Sequence, residues 1–360
     1  MKYKASRSIL ITGATGYLGG GFLAEVLTSN NSILLSATYS VLLRSSSQAS
    51  LFTNLDVTPL VLQNTEDLTE LRHIASNYDI IVNFAYNVMP EHAKALVLGL
   101  GDRKLANPDL RTPVIIQASS GTSNFADRPF SAPDRFKKLG IPLEFTDLDS
   151  NALYEIEKRL DAEEPYPLRT TDLNVIDTAL EVGVKTHVVM LPTVYGTGAG
   201  PGNKISIQIP VFIKSVLKHG YLAVAGEGNG VWDRVHIQDL VALFKILISR
   251  ILQDEDVPSG KDGLLFSGTV RNSWNELAHA IINVGLKLGK IPADTEVKHV
   301  DLTEAEKAWG LDGFPGLAEL AFASNSRTYA ERATQWGWEA KVLDMESDIE
   351  ADWLAVTKDA

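Results

Sequence analysis

The chain has 360 residues, is 45% hydrophobic and 22% charged, carries a formal net charge of −12 and contains no cysteine. That acidic balance argues against a nucleic-acid partner, which needs clustered Lys and Arg, and the lack of cysteine excludes disulfides, thiol nucleophiles and cysteine-based metal sites. No apolar run approaches the ~18 residues of a membrane span, and "MKYKASRS" lacks the apolar core of a secretory signal, so a cytoplasmic protein is expected.

In chain order, Ser8–Thr12 reads as the first buried strand. A turn studded with Gly13, Gly16, Gly19, Gly20 and Gly21 follows, and a helix is expected over Gly20–Thr28. Further strands are expected at Tyr39–Leu43, Thr58–Leu62, Ile80–Phe84, Val114–Ala118 and His187–Leu191, with helices between them such as Thr65–Ser76. Near-continuous apolar strands separated by helices predict an α/β fold: a doubly wound parallel sheet covered on both faces. "GTGAGPGNK" (196–204) is too rich in Gly and Pro for an element and reads as a loop. "VHIQDLVALFKILISRIL" (235–252) is a strand start followed by an amphipathic helix. "SWNELAHAIINVGLKLG" (273–289) is a helix with Ser273 as N-cap and Gly289 past its end.

Gly13-x-x-Gly16-x-x-Gly19 sits between a strand and a helix. In that context the first glycine permits the sharp turn, the second lets backbone approach a pyrophosphate, and the third lets helix pack on strand. The helix start adds free N–H groups and a positive dipole end. Thr12, Thr15 and Tyr17 offer hydroxyls, and Leu18 packs beneath. The expectation is a dinucleotide site in a Rossmann domain over 1–195, to which 232–264 return. A smaller interleaved lobe, from 196–231 and 265–360, is expected to hold the substrate. The second strand ends in "LLRSSSQ", where an NAD site usually carries an acidic residue for the ribose 2′-OH. Arg44 followed by Ser45 suits a 2′-phosphate instead, so NADP(H) is favoured over NAD(H).

With "TGATGYLG" and "VLLRSS" read, the chain resembles the short-chain dehydrogenase/reductase superfamily, and within it the extended branch known as the NAD-dependent epimerase/dehydratase family. Its overall style is similar to a fungal subgroup of epimerase-like proteins. "IIVNFAYN" (80–87) resembles the fourth strand and the turn beside the cofactor, which implies Ala85 as a contact. "VVMLPTVYGTG" (188–198) is similar to the segment flanking nicotinamide, which implies Pro192 and Val194. "IIQASSGTSNF" (115–125) resembles the fifth strand with its catalytic serine segment, while "DRVHIQDLVALF" (233–244) and "SNSRTYAERATQWGW" (324–338) match late signatures of the branch.

The resemblance implies a Ser–Tyr–Lys set. The tyrosine donates or takes a proton at the substrate oxygen, the lysine lowers the tyrosine pKa and holds the ribose, and the serine orients the carbonyl. Ser119, Ser120 and Thr122 compete for the serine role, and register favours Ser120, with Thr122 next. For the tyrosine, "YEIEK" offers Tyr154 with Lys158 four residues on. A helix begun there runs into Pro165 and Pro167, however, which should break it. Tyr166 fits the geometry better: Pro167 falls in the first helical turn, Leu173, Ile176, Ala179 and Leu180 form one face, and Gly183 ends the helix. The position four after Tyr166 is Thr170, not lysine, and neighbouring Arg169 differs from it in direction by about 100°. Tyr166 is therefore preferred and Tyr154 kept.

His236 and Asp239 are expected to serve packing and capping, and Trp232, Trp336 and Trp338 to fill the core or the lobe. The seven histidines show no metal spacing, so no metal is expected. Three functions compete. The first is an NADP(H)-dependent oxidoreductase acting on a carbonyl or alcohol of a small molecule. The second is a nucleotide-sugar-type epimerase or dehydratase. The third, motivated by the missing lysine, is a non-redox NADP(H)-binding sensor, isomerase or cyclase. A small-molecule substrate is the expected partner, with no nucleic acid and no membrane, and the superfamily resemblance adds a homodimer as an option.

Overall fold

The structure, a computed structural model, describes residues 6–314 and 316–358. Seven strands form one parallel sheet: β1 (Ser8–Thr12), β2 (Thr38–Leu43), β3 (Thr58–Val61), β4 (Ile80–Asn83), β5 (Val114–Gly121), β6 (Lys185–Leu191) and β7 (Leu264–Phe266). They lie in the order β7-β6-β5-β4-β1-β2-β3. Ile9 and Ile11 of β1 face one hydrophobic cluster and Leu10 the other. That alternation on a doubly covered sheet is why the strands are apolar on both sides.

One face is covered by α1 (Tyr17–Leu27), whose Phe22, Leu23 and Val26 join the cluster of Ile9 and Ile11. On the other face lie α2 (Leu68–Ala75) and α3 (Pro90–Ala106), with Leu71, Leu96 and Leu100 packed around Leu10 and Ile81. Next come α4 (Ser150–Glu163) and α5 (Pro167–Val182), separated by Pro165 and closed by Gly183 at φ +70°. Beyond β6, α6 (Gln208–His219), α7 (Ile237–Leu252), α8 (Trp274–Lys287) and α9 (Glu346–Val356) follow. α7 returns to the α1 face through Leu240, Val241 and Phe244. α6, α8 and α9 share a separate core with Phe212, Trp232, Trp274, Trp309 and Trp353, which is the smaller lobe.

Strand order reverses at β1 and β4, so their carboxyl ends flank the topological switch point, where such sheets bind ligands. Several boundaries differ from expectation for physical reasons. α1 starts at Tyr17 rather than Gly20, because the glycine turn itself delivers the chain into the helix. α2 starts at Leu68 rather than Thr65, where the Asp67 carboxylate accepts from the N–H groups of Thr69 and Glu70. β5 runs on to Gly121 because its register against β6 shifts between Gln117 and Ser120. β7, three residues long, is too short to show a period. The expected domain boundary at 264/265 falls inside it. The strand before α7, Val231–His236, pairs with Thr193–Tyr195 and Val270–Ser273 in a separate sheet.

Candidate active site

The glycine turn leaves β1 at Gly13, whose φ of +72° favours glycine. A Cβ on Gly19 would sit 2.5 Å from the Gly13 carbonyl oxygen, so this residue allows the close helix–strand packing. Gly16 is different. Its backbone is extended (φ −82°), and an added Cβ would meet protein at only one point, the Gly13 carbonyl oxygen at 3.1 Å. α1 has no side-chain cap and no acid in its first turn. Its leading N–H groups therefore face an anion site with no competing carboxylate. The residues present fit a dinucleotide pyrophosphate.

Not every expected hydroxyl serves this cradle. Tyr17 is buried, and its hydroxyl donates to the Gly196 carbonyl at 2.7 Å. Thr12 Oγ1 donates to Asn83 Oδ1 at 2.6 Å and accepts from the Ala85 N–H at 3.2 Å, fixing the β1–β4 edge. Both hydroxyls are thus committed to the protein, which corrects the expectation for them. Thr15 and Leu18 are half-buried at the turn, and the Thr15 carbonyl accepts from the Asn203 N–H at 2.9 Å. Loop 196–204 thereby straps the turn, with Gly200 packed against Gly20. Ala85 is exposed beside Gly13, whose added Cβ would lie 3.1 Å from the Ala85 nitrogen. Pro192 is buried and Val194 half-buried where β6 hands over to Thr193–Tyr195.

Arg44 directly follows β2 at the same edge of the sheet and is exposed. Among the described residues its guanidinium has no carboxylate or hydrogen-bonding partner, and its charge is felt at Tyr86. Ser45 caps the short helix Ser46–Phe52 by accepting from the Ser47 N–H. This leaves an exposed, unpaired cation at the carboxyl end of β2.

At the end of β5 the structure separates the serine candidates. Ser119 Oγ donates to the Phe84 carbonyl at 3.2 Å. Ser120 is buried, and its hydroxyl donates to Asp172 on α5. Thr122 is fully buried with an unpartnered hydroxyl. The group that meets Tyr166 is Ser123, at 3.2 Å between hydroxyl oxygens. Sequence reasoning missed Ser123. The register shift in β5 and the helical turn Thr122–Phe125 bring it to the place expected for Ser120. Tyr166 is the N-cap of α5 and half-buried, and its backbone N–H donates to Asp161 at 3.1 Å. Burial raises its pKa, while the Ser123 hydrogen bond and then the Arg169 and Arg128 charges draw it down.

Tyr154 is not part of this arrangement. It is buried in the core on α4, and its hydroxyl donates to Asp177 on α5. Asp177 lies eleven residues beyond Tyr166, about 16 Å along the helix. Lys158 Nζ sits 5.4 Å from the Tyr154 ring centroid and Lys261 Nζ 4.5 Å. The spacing of Tyr154 and Lys158 is thus helical packing against α5, and it does not reach Ser120 or the glycine turn. His236 caps α7 through Nδ1, and Asp239 accepts from the Lys341 and Val342 N–H groups.

Beneath Ser120 lies a buried polar cluster. The Asn124 amide donates to Glu157 at 2.7 Å and to Asp172 at 2.8 Å. Burial pushes both carboxyls up, Glu157 well above the usual range and Asp172 to about 7. An unfolded chain releases these protons near pH ~4, whereas the native cluster keeps them, so their stabilising effect is complete below that pH and is lost as pH rises toward neutrality. Asp172→Asn should flatten this decline by up to about 1.4 kcal/mol per pH unit, read by urea unfolding at several pH values across the window. Parallel slopes in wild type and variant would show that Asp172 is ionised in the native protein.

Comparison with known proteins agrees with this architecture. Residues 155–258 match the family model described as the NAD dependent epimerase/dehydratase family. The chain is 27% identical to the oxidase ucsJ of Acremonium sp, over 92% of this chain and 91% of that one. Among solved structures it is similar to DesIV, the dTDP-glucose 4,6-dehydratase of Streptomyces venezuelae with NAD and TYD bound, at 14% identity and a TM-score of 0.63, covering 98% of both chains. It is also similar to the UDP-glucuronic acid 4-epimerase of Bacillus cereus in complex with UDP-glucuronic acid and NAD, at 15% identity and a TM-score of 0.59, covering 98% of this chain and 100% of that one. The doubly wound fold is shared, and the expected resemblance to the epimerase/dehydratase family is borne out. No helix among the described residues is long and apolar enough to cross a membrane.

Proposed function

We propose that this enzyme is an NADP(H)-dependent oxidoreductase acting on a carbonyl or alcohol of a small molecule, with Tyr166 as the proton donor. The observation that carries the reading is the Tyr166–Ser123 hydroxyl pair at the carboxyl end of β5. From there β1 and its glycine turn are two strands away, roughly 10 Å across the sheet. When bound, the cofactor supplies or accepts the hydride. Gly13, Gly16, Gly19 and the first turn of α1 hold its pyrophosphate, Arg44 its 2′-phosphate, and Ala85, Pro192 and Val194 flank it. Tyr166 gives its proton to the substrate oxygen as the attached carbon is reduced, and takes one back in the reverse direction. Ser123 orients that oxygen. The similarity to an oxidase supports redox chemistry. The reading is tested by NADPH binding to the purified protein and by turnover across a panel of carbonyl compounds. Absence of cofactor binding would overturn it.

Arg44→Asp should weaken NADP(H) by about 10- to 150-fold and NAD(H) much less, because a charge-assisted contact worth about 1.5–3 kcal/mol is lost. Titrating both cofactors against both proteins checks this. Equal losses would mean that Arg44 does not read the phosphate.

A second reading, a nucleotide-sugar epimerase or dehydratase, is supported by the whole-chain similarity to DesIV and the Bacillus cereus epimerase. In that case the cofactor is borrowed and returned. Dinucleotide that survives purification, with no net NADPH consumption, would favour it.

A further inference from the structure

We infer that Arg169 is the positioning cation of this site: seated on α5 against the Tyr166 ring, it supplies the positive charge that keeps the Tyr166 hydroxyl ready to release and regain a proton. The inference rests on the reading of Tyr166 as the proton donor. It addresses a chemical need that the structure exposes. No lysine follows Tyr166 by one helical turn. Thr170 stands there, and its hydroxyl donates to Asp161 at 2.9 Å.

Arg169 is 2% exposed, and its guanidinium carbon lies 5.7 Å from the Tyr166 ring centroid. A buried guanidinium is usually held by a carboxylate in direct contact. This one is not. Among the described residues its Nε and Nη1 are buried without a hydrogen-bond partner, and no carboxylate oxygen lies within ion-pair distance. Burial opposes its charge most, Asp161 on α4 attracts it from further away, and Arg135 repels it. A guanidinium is too basic to lose its proton in a protein, so the charge is retained, and no contact cancels it.

Arg128 is the other cation that Tyr166 feels, and it makes the contrast. Its Nη2 donates to Glu164 at 2.7 Å and its Nη1 lies 3.5 Å from Glu319. Paired with two carboxylates, Arg128 has little field left to give. The groups facing Tyr166 are then Ser123 from the turn after β5, Arg128 from the following loop, Arg169 from its own helix and Asp161 from α4. Of the two cations, Arg169 is the one not paired with a carboxylate, and Asp161 is the negative charge that opposes it at Tyr166.

Difluorotyrosine placed at position 166 of the full chain tests this by fluorine NMR, because its phenol titrates where folded proteins are stable. Arg169→Met should raise the midpoint by about one unit, since an opposite charge within about 6 Å favours the phenolate by that much or more. Arg169→Lys should raise it less. Asp161→Asn keeps an acceptor for the Tyr166 N–H but removes a negative charge, and should lower the midpoint. Opposite signs for the arginine and aspartate variants cannot come from loosened packing alone. If Arg169→Met does not fold, Arg169→Lys and Asp161→Asn carry the comparison. Midpoints that stay put, or that move in the same direction in all variants, overturn the inference while leaving the proposed function standing. Wild-type turnover in Tyr166→Phe overturns the proposed function instead, whatever the midpoints do.

Discussion

Tyr166→Phe should lower turnover by about 10²–10⁴ with NADPH affinity nearly unchanged. The substitution removes one oxygen. The ring, its contact with Arg169 and the start of α5 remain, because the Tyr166 backbone N–H and not its hydroxyl binds Asp161. What disappears is the proton for the substrate oxygen and the hydrogen bond to Ser123. Tyr154→Phe is the matched control. Its hydroxyl binds Asp177, so its loss should cost stability, on the order of 1 kcal/mol, but not turnover. Lys158→Ala should be silent in both, since Lys158 is exposed and, among the described residues, its ammonium forms no ion pair or hydrogen bond, lying 5.4 Å from the Tyr154 ring centroid. The measurement is the rate of NADPH loss with any carbonyl that the wild type reduces, together with a cofactor titration. A silent Tyr166→Phe would show that the Tyr166 hydroxyl is not the proton donor.

Much of the fold was legible because it depends on short-range rules. Ser8–Thr12 is apolar on both faces, Gly13 is the residue able to turn sharply after it, and the amphipathic run beyond has one place to go. The break between α4 and α5 was legible too, because Pro165 and Pro167 leave no other reading, and it is what distinguishes Tyr154 from Tyr166. Which hydroxyl at the end of β5 meets Tyr166 was not legible. A register shift between Gln117 and Ser120 changes which hydroxyl faces the crevice, and nothing in "ASSGTSNF" marks it. Ser120 turned to α5 because Asp172 and Asn124 form a polar seat there, assembled from segments far apart in sequence. Arg169 shows the same limit. Its charge is written in the chain, but its burial, its missing contact partner and its distance from Tyr166 are products of three helices and a loop meeting.

Gly16→Val should reduce NADPH affinity by at least about 100-fold while leaving a folded protein. Of the three glycines, Gly16 alone permits so clean a test. At Gly13 a side chain would be strained by φ +72° and would crowd Phe84 and Ala85. At Gly19 a Cβ would collide with the Gly13 carbonyl at 2.5 Å, so the turn itself would shift. Gly16 already has the extended backbone that valine prefers, and its Cβ would meet only the Gly13 carbonyl oxygen, at 3.1 Å. The cost to the native fold is therefore limited to a slight adjustment and about 0.5–1 kcal/mol for the poorer N-cap. The valine methyl groups would instead project over the first turn of α1, where the uncapped N–H groups face the pyrophosphate. Two charge-assisted hydrogen bonds lost there, at about 1.5–3 kcal/mol each, suffice for the hundredfold loss. Circular dichroism and thermal unfolding report on the fold, and fluorescence titration with NADPH reports on the site. Undiminished affinity in a folded Gly16→Val protein would make the glycine turn a device for packing α1 on β1 and nothing more.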